Sequence, residues 1–207
     1  MPARIVLFDL GNVVVDWDPL KLYTARFADA EKARWFCDTV CTMAWHTQHD
    51  AGARFDDTIP PLAEAFPDYA EDIRAWREQW LEMFHGYVPG VPAIIAELEE
   101  ARVPLFGLSN LPAQVAEITF NAFAMIKVLH DVVVSGREGV IKPDPKIYEI
   151  ALARMGRPAP GDVFFIDDRP ENIEAAERLG FIGHVFTGAG ALRGALVREG
   201  LLPAAMS

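Results

Sequence analysis

Four apolar residues in a row, Ile5-Val6-Leu7-Phe8, open the ordered pattern of the chain and stop at Asp9-Leu10-Gly11-Asn12. An apolar run this short predicts a strand over 4–8, buried on both faces and ending in a polar, glycine-containing turn. Val13-Val14-Val15 is a second β-favouring run and predicts a short hairpin flap. Asp18-Pro19 then reads as an N-cap followed by proline at the first helical position. Over 20–85 the apolar positions recur at helical spacing, as in Ile73, Trp76, Trp80 and Phe84. Three or four helices are predicted there, broken at Ile59-Pro60-Pro61 and near Phe66-Pro67, with Trp76 and Trp80 in the core of this segment.

Beyond Val88-Pro89-Gly90 the period alternates. Strands are predicted over 103–108, 132–134, 163–166 and 181–186, and helices over 93–101, from about 112, and over 145–155, 171–179 and 191–199. Strands alternating with helices make βαβ units and therefore an α/β fold with a parallel sheet. In such a sheet ligands bind beyond the carboxyl ends of the strands. Asp9, Ser109-Asn110 and Asp167-Asp168 all fall at such ends, and the segment of 20–85 leaves from the same edge, placed to roof it.

The chain has 207 residues, 51% hydrophobic and 24% charged, a composition that excludes a disordered or low-complexity protein. Asp plus Glu number 30 against 19 Lys plus Arg, a net charge of −11. No electrostatic footprint for nucleic acid or an anionic membrane surface exists in such a balance, so a phosphorylated ligand needs a local pocket. No apolar run reaches the length of a membrane span, and Asp9 interrupts the first run too early for a signal-peptide core. The two cysteines, Cys37 and Cys41, read as free buried thiols. The expected compartment is the cytoplasm; nothing in the sequence speaks to oligomeric state.

Two carboxylates converging from separate strand ends repel unless a cation lies between them, which makes a hard divalent ion such as Mg²⁺ the natural third party to Asp9 and Asp168. Lys142, in Ile141-Lys142-Pro143-Asp144-Pro145, sits in a stiff loop before a helix and can balance charge at a phosphoryl group. Ser109 and neighbouring backbone N–H groups suit phosphate oxygens. Other roles stand beside these. Ser109-Asn110 can serve as a helix cap, Asp167 can orient Asp168 or Lys142, and Asn172 can cap its helix or reach a metal-bound water. Asp16 and Asp18 can serve as an acid–base group, although turn or capping duties suit them better, and Arg54, Arg137 and Arg169 can help offset phosphate charge, although solvated surface is their default. Trp45-His46-Thr47-Gln48-His49-Asp50 mixes aromatic faces with polar groups, as a sugar ring would require, although packing explains each histidine singly.

Phe8-Asp9-Leu10-Gly11-Asn12-Val13, Leu108-Ser109-Asn110, Lys142-Pro143 and Phe165-Ile166-Asp167-Asp168, followed by Glu171-Asn172-Ile173, resemble the four motifs of the haloacid dehalogenase superfamily, in order. The resemblance implies a Rossmann-like core over 1–15 and 89–207 with a helical cap over 16–88. It further implies an aspartyl-phosphate at Asp9, Mg²⁺ held by Asp9, Asp168 and the Gly11 carbonyl, and phosphoryl binding by Ser109, Asn110 and Lys142. The chain departs from the phosphatase pattern at Gly11, where a second Asp ordinarily acts as acid and base. Three readings follow: a phosphatase for a small phosphorylated metabolite whose leaving group hardly needs an acid, such as an anomeric sugar phosphate; a 2-haloacid dehalogenase, which needs no metal; or a phospho-ligand sensor. The Asp-Leu-Gly-Asn form is similar to a subgroup that includes α-D-glucose-1-phosphate phosphatases.

Overall fold

A computed structural model describes residues 3–204; Met1, Pro2 and 205–207 lie outside the described residues. The chain runs through β1 (Ile5–Phe8) and β2 (Val15–Trp17) into five helices, α1 (Pro19–Phe27), α2 (Ala30–Thr39), α3 (Met43–Asp50), α4 (Phe55–Ala65) and α5 (Ala70–Glu78). It returns through β3 (Phe84–Tyr87), then alternates: α6 (Val91–Glu100), β4 (Leu105–Ser109), α7 (Ala113–Ala122), β5 (Val132–Val134), the single turn α8 (Ser135–Glu138), α9 (Pro145–Arg154), β6 (Val163–Asp167), α10 (Pro170–Arg178), β7 (Ile182–Val185) and α11 (Ala189–Arg198).

Five strands form one sheet in the order β5-β4-β1-β6-β7, every pair parallel. β1 lies at its centre because its residues can be buried on both sides. Val6 and Phe8 join the larger apolar core with Ile94 and Ile95 of α6 and Leu192 and Leu196 of α11. Leu7 points the other way, into a second core with Ile147 and Tyr148 of α9 and Ile173 of α10. This is the two-residue period of a strand covered by helices on each face. The chain goes to β4 on one side of β1 and to β6 on the other, so the crevice past the end of β1 is the switch point where open α/β sheets bind ligands.

The valine flap takes a different partner from the one its sequence suggests. Val15–Trp17 pairs antiparallel with Phe84–Tyr87, at the far end of the helical segment. The two ends of that segment are thereby stitched together, with Asp18 N–H donating to Met83 O at 2.8 Å and Val88 N–H to Val14 O at 3.0 Å. Asn12 makes the turn into the flap at φ 57°, a left-handed conformation asparagine tolerates, and its Oδ1 accepts from Trp17 N–H. Asp18 caps α1 as expected, accepting from Leu20 N–H at 2.8 Å.

The expected break at Pro60-Pro61 is absent: α4 runs through both prolines. Their missing N–H groups would have met the carbonyls of Asp56 and Asp57, both exposed residues, so water can take the vacated bonds. The break near Phe66-Pro67 is present, where α4 ends and a 3₁₀ turn leads into α5. β4 begins at Leu105 instead of residue 103 and β7 spans 182–185 instead of 181–186, shifts at frayed ends. Among the described residues no helix is long and apolar enough to cross a membrane. Cys37 and Cys41 are free, the first partly and the second fully buried.

The helical segment has its own aromatic core, with Tyr23 against Phe36 at 4.5 Å and Trp76 fully buried. It meets the sheet domain where α3 crosses α8. A Cβ built on Gly136 would lie 2.5 Å from Ala113 N, 2.8 Å from Leu111 O and 3.0 Å from His49 O, all backbone atoms with no side-chain freedom to yield. Gly136→Ala is therefore expected to destabilise the protein by about 1–3 kcal/mol, the usual cost of overpacking. Urea unfolding followed by tryptophan fluorescence checks this, because the five tryptophans lie in or beside the helical segment.

Candidate active site

The ends of β1, β4 and β6 deliver Asp9, Ser109 and Asp167-Asp168 to one crevice, and the loop before α9 brings Lys142 up to them. The Asp9 N–H still belongs to the sheet, donating to Ile166 O at 2.8 Å, so the side chain is anchored by strand geometry. Lys142 is almost wholly buried. Its Nζ lies 2.9 Å from Asp9 Oδ1, 2.7 Å from Asp167 Oδ2 and 3.0 Å from Leu108 O. An ammonium has three hydrogens, and these three acceptors use all of them.

Two neighbours hold this lysine in place. Asn110 grips its backbone at two points, Oδ1 accepting from Lys142 N–H at 2.8 Å and Nδ2 donating to Lys142 O at 3.1 Å. Asp167 is fully buried and saturated. Besides Lys142 it accepts from Arg169 N–H at 2.9 Å and from Asn172 Nδ2 at 2.9 and 3.0 Å. Asp167 and Asn172 therefore serve to orient Lys142; the Asn110 amide spans the lysine backbone, while Asn110 also borders the cavity.

Charge in the cluster does not balance. Asp9, Asp167 and Asp168 offer oxygens all within 4.8 Å of one another, against a single buried ammonium. Burial pushes Asp9 up to about 8; Lys142 opposes the shift, and the charges of Asp167 and Asp168 add to it. Burial and then Asp167 also raise Asp168. For Lys142, burial works against the charge, but Asp167 and Asp9 outweigh it and hold the ammonium above its ordinary range. An all-oxygen acidic cluster short of positive charge is the donor set a hard divalent cation takes, so the residues present fit such an ion.

Gly11 borders the same cavity, and a Cβ built on it would meet no atom within 4 Å. The cavity holds about 420 Å³ and is roofed by the helical segment: Trp17, Met43, Trp80 and Phe84 line it, with His46, Thr47 and Asp50 of α3. Trp80 thus serves as wall as well as core, donating from Nε1 to Thr119 Oγ1 of α7 at 2.8 Å. His49 is structural, its ring nitrogens meeting His46 O at 3.0 Å and Thr58 Oγ1 at 2.6 Å. Asp16 and Asp18 stay outside the cavity lining. Arg54 and Arg137 pair with Asp56 and Glu117 at the surface, and Arg169 pairs with Glu171 at the cavity rim.

Sequence reasoning placed Asp50 only in a polar–aromatic run and assigned it no part in the site. Its one signal was the spacing to His46, which puts both on one helical face. The structure turns that face inward, with both side chains buried.

The chain resembles known proteins over most of its length. It is 23% identical over 185 residues, 87% of this chain and 88% of the other, to the sesquiterpene phosphatase astK of Aspergillus oryzae. A HAD family enzyme of Bacteroides thetaiotaomicron superposes with TM-score 0.71 at 16% identity, over 91% of this chain and 95% of that one. The wild-type form of that enzyme in complex with magnesium and inorganic phosphate superposes with TM-score 0.68 at 17% identity, over 90% and 95%. The L-2-haloacid dehalogenase of Xanthobacter autotrophicus, with chloropropionic acid covalently bound, gives 0.66 at 18%, over 97% and 85%. These structural likenesses establish a shared fold. A family model described as haloacid dehalogenase-like hydrolase matches residues 3–180, so the chain belongs to the haloacid dehalogenase-like hydrolases.

Proposed function

We propose that the protein is a Mg²⁺-dependent phosphatase for a small organic monophosphate, with a core of residues 1–15 and 89–207 and a cap of residues 16–88. The observation that carries this reading is the unbalanced buried cluster of Asp9, Asp167 and Asp168 around one lysine. A haloalkanoate hydrolase has no need of a cation, and three clustered carboxylates are a poor place to bind a carboxylate substrate without one. The relative named as a sesquiterpene phosphatase and the neighbour solved with magnesium and phosphate support the same choice.

Asp9, Asp168 and the Gly11 carbonyl would hold the ion. Bound there, Mg²⁺ supplies positive charge that keeps Asp9 ionised and offsets the phosphoryl oxygens. The chain's own residues do the rest. Lys142 Nζ and Leu10 N–H both approach the same oxygen of the Asp9 carboxylate, Oδ1, at 2.9 and 2.6 Å. Oδ2 then attacks phosphorus, giving an aspartyl-phosphate that water hydrolyses. Lys142, fixed by Asp167 and Asn110, presents its charge beside the transferring group, and Ser109 offers its hydroxyl from the end of β4.

The body of the substrate meets the cap. Trp17, Met43, Trp80 and Phe84 give this wall broad apolar faces, and His46, Thr47 and Asp50 give it one polar edge. A sugar phosphate, whose ring has apolar faces and hydroxyl edges, matches both features. A terpenyl monophosphate is the second reading, favoured by the predominance of bulky apolar side chains and by the Aspergillus oryzae relative.

Asp9→Asn should fold normally and lose at least about 10³-fold in phosphate release, since the amide cannot attack phosphorus; retained turnover would place the nucleophile elsewhere. Chelation with EDTA should abolish phosphate release, and added Mg²⁺ should restore it. Dehalogenation of 2-chloropropionate that survives EDTA would instead establish the dehalogenase reading, and tight ligand binding without any release the sensor reading. Malachite-green assays on glucose 1-phosphate, glucose 6-phosphate and farnesyl monophosphate separate the substrate classes. If nothing in the site takes the place of the acid missing at Gly11, the anomeric ester should be preferred by at least about tenfold; equal rates on the two glucose esters would mean that another group supplies the proton.

A further inference from the structure

Cleaving an ordinary phosphate ester leaves an alkoxide that needs a proton, and Gly11 has no side chain to give one. The remaining titratable groups around the cavity can be taken in turn. Asp9 is engaged by Lys142, whose three hydrogens are all committed. Asp168 belongs to the acidic cluster. Glu171 is exposed and paired with Arg169 at 2.7 Å. His46 is deeply buried, and its Nδ1 already accepts a hydrogen bond from Trp76 Nε1 at 3.2 Å. Burial, and then His49, drive its pKa down to about 3, so the ring is neutral.

Asp50 is different. It sits on α3 in the roof of the cavity, more than nine-tenths buried, and its Oδ1 has no hydrogen-bond partner. The proton of the neutral His46 ring lies on Nε2, 3.6 Å from that oxygen, too far to satisfy it but close enough to favour the carboxylate once formed. A buried, unpartnered carboxyl holds its proton more tightly than an exposed one; burial lifts Asp50 to about 7 even with Lys142 pulling the other way, so a substantial share of the molecules carry that proton near neutral pH. The carboxyl therefore carries a movable proton in the roof of the cavity whose floor is Asp9 and Lys142.

We propose that Asp50, supplied by the cap, is the proton donor to the leaving-group oxygen, the task Gly11 cannot perform. The proposal rests on the phosphatase reading. As the bond from Asp9 Oδ2 to phosphorus forms and the bond from phosphorus to the ester oxygen breaks, the Asp50 proton passes to that oxygen and an alcohol leaves. Water then attacks phosphorus, the bond to Asp9 breaks, and one water proton returns to Asp50. Cap and core thus each contribute half of the chemistry, and the reaction proceeds only while the roof is in place.

The test compares two esters of similar size. 4-Nitrophenyl phosphate releases a phenolate that needs no proton, whereas benzyl phosphate releases an alkoxide that does. Because kcat/KM reports the steps through departure of the leaving group, it isolates the transfer in question. Asp50→Asn should cost on the order of 100-fold in kcat/KM with benzyl phosphate and at least tenfold less with 4-nitrophenyl phosphate. Residual activity on the latter shows that the variant is folded. The space beside Gly11 also permits a second variant. Adding Gly11→Asp to Asp50→Asn should recover benzyl phosphate hydrolysis by at least about tenfold, which a merely structural loss would not allow. Equal losses on both esters in Asp50→Asn would overturn the assignment of the proton donor alone. Wild-type protein that releases phosphate from neither ester would overturn the phosphatase reading beneath it.

Discussion

A single buried ammonium, Lys142 Nζ, organises the carboxyl edge of the sheet. It bonds Asp9 from β1, Asp167 from β6 and the Leu108 carbonyl from β4, so three adjacent strands meet at one atom. Charges are expensive to bury and are retained only where their hydrogen bonds are complete. That requirement explains the surrounding residues. Asp167 is fully saturated by Lys142, Asn172 and Arg169, and Asn110 holds the lysine backbone from both sides. A small displacement of any member leaves an unpaired charge in the interior, and the constellation therefore keeps one geometry.

What this arrangement leaves over is as informative as what it satisfies. One ammonium against three carboxylates keeps the floor of the cavity short of positive charge; burial raises the pKa values of Asp9 and Asp168, and the neighbouring carboxylates add to that rise. In the roof, Asp50 holds a buried oxygen without a partner. Natural interiors rarely tolerate either state without use for it. The two imbalances face one cavity, one on the sheet and one on the cap.

Much of this was legible in residue order. Alternation of β-type and helical periods gave the parallel α/β core, and the positions of Asp9, Ser109 and Asp168 at strand ends brought them to one edge, with Lys142 in the loop before α9. Local pattern failed where long-range contacts decided. Val15–Trp17 pairs with a strand nearly seventy residues on, which no short-range turn signal announces. Pro60-Pro61 stays inside α4 because the carbonyls they leave unmatched belong to exposed residues, a fact of tertiary placement.

The order of residues alone determined the family and which groups converge, because a strand end is a position that periodicity can locate. Only the folded molecule decided how those groups share their hydrogen bonds: Asn110 on a lysine backbone, Asp167 on the ammonium, Trp80 as both core and wall. It also decided that Asp50 faces the cavity. Burial, which sets whether a carboxyl keeps its proton, is a property of everything packed around the residue, and one-dimensional spacing does not carry it.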